Sequence, residues 1–138
     1  MGIIDSRATS MGTVQHQNQH IQYYVLPGSF EPRLPGFLGR HEEMFFISED
    51  VPEKWRPTQI IHEFVEMTQL KGVKGRCVEA TKVELAIVAN QTPEELQEYI
   101  QMRIGFFQRL IQFYKNQTPI DKEAIQEFEG SLLYLEAL

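Results

Sequence analysis

A chain of 138 residues with 42% hydrophobic and 23% charged side chains has the length and composition of one globular domain with a real core. A formal net charge of −6 without a Lys/Arg cluster argues against a nucleic-acid partner, since a phosphate backbone rewards a basic surface. No apolar run approaches the roughly 20 residues of a membrane span, and the single cysteine, Cys77, excludes an internal disulfide and fits a reducing cytoplasm.

Residues 1–19 are polar and aperiodic and read as a mobile tail ahead of a single domain over residues 20–138. HIQYYVLP (20–27) is rich in aromatic and β-branched residues and stops at Pro27-Gly28, as a strand followed by a turn does. Residues 28–42 form a Gly/Pro-rich loop with room for a short strand near Phe37-Leu38. EMFFISED (43–50) is the next strand. VPEKWRP (51–57) returns the chain, with Trp55 as a hydrophobic anchor.

Helices follow. Pro57 suits a first helical turn, and Ile61, Phe64, Val65 and Thr68 recur at helical spacing up to Lys71-Gly72. Residues 76–90 form a second helix between Gly75 and a polar break. Thr92 and Glu95 make a capping box for a third helix that runs to about Tyr114. Its apolar residues cover more than one narrow stripe, which predicts burial on two sides or one side covered by a partner. A final helix carries Ile125, Phe128, Leu132 and Leu135 on one face. Strands first and helices after make an α+β fold, a small antiparallel or mixed sheet of two to three strands packed against four helices.

The chemistry is concentrated in HEFVE (62–66). Residues four apart on a helix lie one above the other, so His62 and Glu66 can address one metal ion. A second helix offers further ligands. Cys77, Ala80, Thr81, Glu84 and Val88 fall on one stripe, and Glu84 is an acid on an otherwise packing face. A buried carboxylate is rare unless paired or metal-bound. Cys77 is the competing ligand, soft and suited to zinc. The plain alternative is an amphipathic helix whose His and Glu are a polar face, with Ile61, Phe64, Val65 and Leu70 packing.

The stretch from Met44 to Glu84 resembles the core of the zincin-like metallopeptidases and is similar to small uncharacterised bacterial proteins with an HExxE helix. Those peptidases place an edge strand just before a helix bearing HExxH. The resemblance implies that EMFFISED is the edge strand, TQIIHEFVEM the active-site helix, Glu63 the general base and Glu84 a third ligand. Glu66 stands where the family has a second histidine. An oxygen-rich set of this kind suits manganese or iron about as well as zinc. The implied activity is metal-dependent hydrolysis of a peptide or amide.

Other candidates are weaker. His41-Glu42-Glu43 is a charged cluster at a strand boundary, Arg33 and Arg40 are placed to grip an anion, and Cys77 would need His62 as base to be a nucleophile. No Gly-rich phosphate loop, nucleophile elbow or CxxC pair is present. The rival function is a non-enzymatic interaction domain that forms homo-oligomers through the broad apolar surface of the 93–114 helix.

Overall fold

The computed structural model describes residues 7–28, 38–41 and 44–138 and has an α+β fold, with four helices after a four-stranded mixed sheet. The chain divides into two compact units, Met1–Gln69 and Leu70–Leu138.

In the first unit the strands are β1 (Ser10–His16), β2 (Gln19–Leu26), β3 (Leu38–His41) and β4 (Met44–Ser48), in spatial order β1-β2-β4-β3. β1 and β2 form an antiparallel hairpin, β2 runs parallel to β4, and β3 is antiparallel to β4. The sheet thus has one strand more than the two to three expected, because Ser10–His16 lies in the stretch read as a tail. Its hairpin closes through Gln17 and Asn18, both at positive φ (49° and 67°). Two such residues between paired strands match the right-handed twist of a hairpin, and asparagine is among the few side chains that tolerate that conformation. β4 departs from the edge position that the resemblance implies. It is interior, flanked by β2 and β3, and four of its five residues are buried. Apolar side chains on both faces favour a central position over an edge.

Helix α1 (Arg56–Met67) follows a short 3-10 turn at Glu53–Trp55 and packs on one face of this sheet. Cross-strand partners share a face, so the pairs Tyr23–Phe45 and Val25–Ile47 line the side where Phe45 meets Phe64 of α1, with ring centroids 6.1 Å apart. Leu26 and Phe46 are buried together elsewhere in the sheet, with Ala8, Tyr24 and Met44 packed against them. The entry of α1 is tied down by Arg56, whose Nε donates to the Val51 carbonyl at 2.8 Å and whose Nη2 donates to the Glu49 carbonyl at 3.0 Å. Trp55, 3% exposed, anchors the same corner.

The second unit is helical: α2 (Arg76–Val88), α3 (Pro93–Lys115) and α4 (Lys122–Glu136). The expected capping box is present at α3, where Thr92 Oγ1 accepts from the Glu95 N–H at 3.2 Å. Asp121 caps α4 in the same way through the Ala124 N–H at 3.0 Å. α3 packs against both α2 and α4, which accounts for its wide apolar stripe. Phe106 and Phe107 are buried, and Phe107 and Tyr114 both pack on the Phe128 ring of α4. No helix among the described residues is long and apolar enough to cross a membrane.

Candidate metal site

α1 presents His62 and Glu66 one turn apart on one stripe. The imidazole Nε2 lies 2.8 Å from Glu66 Oε2, His62 is buried, and the Glu66 side chain is 15% exposed. Two ligand atoms bound to one tetrahedral ion at about 2.0–2.1 Å lie roughly 3.3 Å apart. The pair would open by about half an ångström to admit one, a shift within side-chain torsional freedom. The apolar residues Ile60, Ile61 and Val65 are buried and hold the backbone beneath the pair. Glu63, the expected base, is half-buried and rotated about 100° from His62 on the same helix.

Cys77 and Glu84 belong to the second unit, and all five residues of the stripe Cys77, Ala80, Thr81, Glu84 and Val88 are buried. The Cys77 sulfur accepts from Ser131 Oγ at 3.0 Å. Thr81 Oγ1 lies 3.1 Å from that serine oxygen and 2.9 Å from the Cys77 carbonyl. At the same helix start, the Glu127 carboxylate of α4 accepts from the Gly75 N–H at 2.9 Å and the Cys77 N–H at 3.0 Å. It satisfies two N-terminal donors and places a negative charge at the positive end of the α2 dipole.

Glu84 is fully buried and paired within its own unit. Its Oε1 accepts from the Tyr99 hydroxyl and its Oε2 from Arg103 Nη2 at 3.2 Å. Arg103 Nε stands 3.0 Å from Oε1, an ion-pair distance without hydrogen-bond alignment. The guanidinium carbon also lies 4.7 Å and 5.0 Å from the ring centroids of Phe107 and Phe106. Burial works against the charge on Arg103, but the Glu84 carboxylate together with Tyr99 and Cys77 more than offsets it, and the guanidinium pKa is raised. Burial, with the Glu84 charge adding to it, holds the Tyr99 hydroxyl well above the ordinary phenol range.

Tyr99, Arg103, Glu127 and Ser131 were not singled out from the sequence. The signal was there for two of them: Tyr99 and Arg103 sit i, i+4 on the apolar stripe of α3, and an arginine amid Ile100, Phe106 and Phe107 needs a buried anion. Among the weaker candidates, Arg40 stacks over Phe45 at 5.7 Å. Arg33, Glu42, Glu43 and the His41 side chain lie outside the described residues. Comparison with protein-family models, with curated proteins and with solved structures finds no match, so a functional reading rests on the residues themselves.

Proposed function

We propose that the protein binds a divalent metal ion through His62 and Glu66 on a zincin-like helix and uses it in hydrolysis of a peptide or amide bond. The observation that carries the reading is the buried imidazole directed at a carboxylate one turn on, 2.8 Å away. A nitrogen and an oxygen donor of this kind suit zinc, manganese or iron. A bound divalent ion supplies an activated water near neutral pH. Glu63 is the residue proposed to take the proton of that water on its carboxylate, as the adjacent glutamate does in HExxH helices. Arg103 already provides the countercharge of Glu84, which leaves His62 and Glu66, with Cys77 as the further candidate, as the ligands of the proposal.

Metal analysis tests this. Protein prepared without a metal-affinity tag, stripped with a chelator and dialysed against zinc, manganese or ferrous ion should retain one of them near stoichiometrically. His62→Ala should retain none, Glu84→Gln should retain it, and Cys77→Ser reports whether the thiol takes part. If the parent chain holds no metal, the rival reading of a non-enzymatic interaction domain takes its place.

A further inference from the structure

Gln59 stands three residues before His62 and seven before Glu66 on α1. At about 100° per residue, the three fall within roughly 60° of one another around the helix. Gln59 is 2% exposed, and its amide oxygen Oε1 has no hydrogen-bond partner among the described residues. Native proteins rarely leave a buried amide oxygen without a donor, and a water or a bound ion is one recognised partner for such an orphan. A glutamine is also a poor choice for mere filling, since a leucine or methionine gives similar volume without a polar atom to desolvate. The orphan acceptor shares its helix stripe with the His62–Glu66 pair.

We infer that Gln59 is a positioning residue of the metal site, its Oε1 accepting a hydrogen bond from the water held on the cation by His62 and Glu66. The inference rests on the metal reading above. A metal-bound water donates hydrogen bonds and needs acceptors to fix its orientation, and the amide oxygen of Gln59 supplies one without adding charge. Partners of this kind beyond the ligands themselves typically alter metal affinity by about 10- to 100-fold when removed.

The test loads the full chain with cobalt(II), whose visible absorption reports its surroundings, and compares the parent with Gln59→Met. The expected result is a cobalt affinity lowered by about tenfold or more and a shifted absorption band, with an unchanged far-ultraviolet circular dichroism spectrum. Parental affinity and an unmoved band in a folded Gln59→Met protein would overturn the inference and leave the metal reading standing. A parent that binds no cobalt would overturn both. Should Gln59→Met not fold, Gln59→Glu decides: it keeps an acceptor and adds a negative charge, so cobalt should bind at least as tightly with a moved band, and an unmoved band counts against Gln59.

Discussion

Replacing Arg103 with methionine removes the cation beside a carboxylate that is 0% exposed while keeping an unbranched, flexible apolar stem in its place. Breaking a buried ion pair from one side costs about 3–5 kcal/mol, because the remaining charge stays desolvated. A chain of this size has only about 5–15 kcal/mol of total stability, so the loss is a large fraction of it. The sharper test is a reversal of sign. Glu84→Leu added to Arg103→Met removes the orphan charge, and Tyr99→Phe removes a hydroxyl that would otherwise lose its acceptor. Replacing a whole buried ionic cluster with apolar side chains is commonly neutral or stabilising, so the triple variant should recover most of what Arg103→Met loses. Urea denaturation followed by circular dichroism measures both differences, with the slope checked for constancy. An Arg103→Met cost below about 1 kcal/mol, or a triple variant no more stable than the single one, would show that the Glu84–Arg103 pair is not the buried ion pair described here.

The Tyr99 hydroxyl, held above its ordinary pKa, contributes stability that is fully present below pH 10.0, the unfolded value, and lost as pH rises through the folded one. A spectrophotometric titration of the five tyrosines should therefore show one ionising only with alkaline unfolding, and Tyr99→Phe should remove that step. Glu127→Ala strips two N–H groups at the start of α2 of their acceptor and should cost about 1–2 kcal/mol in the same urea experiment, where no change would discount the cap. Asn18→Gly relieves a positive φ in the β1–β2 turn and should stabilise the protein by up to about 1 kcal/mol, whereas Asn18→Val should destabilise it. Leu110→Asp, on the half-buried flank of α3, separates the rival reading: sedimentation should show the same molecular mass as the parent unless α3 pairs with a second copy.

Much of the fold was legible because its signals are local. The 3.6-residue period from Ile61 to Thr68, the Thr92–Glu95 box and the apolar face of Ile125, Phe128, Leu132 and Leu135 each specify a helix within a few turns. The α+β class, the four helices and the buried stripe of α2 follow from such patterns. Likewise, His62 and Glu66 share a helix stripe whatever surrounds them, so their proximity needed only the i, i+4 spacing. β1 was harder to see, because SMGTVQH alternates weakly, with Met11 exposed beside Thr13 and Gln15 and only Gly12, Val14 and His16 half-buried on the other face. The strand is specified by the hairpin it closes with β2, a pairing that composition does not announce.

Long-range partner choice was beyond the sequence. That Glu84 would be buried and paired or metal-bound could be read from its place on a packing face, but the choice of cation depended on Arg103, nineteen residues away on another helix. The same holds for Glu127, which closes the start of α2 across fifty residues of chain, and for the interior place of β4 between β2 and β3. Helix period and capping are short-range consequences of backbone geometry and are written in consecutive residues. Which buried charge meets which is settled only when distant segments pack, because desolvation leaves no charge unpaired and the fold alone decides who is near enough to pair with it.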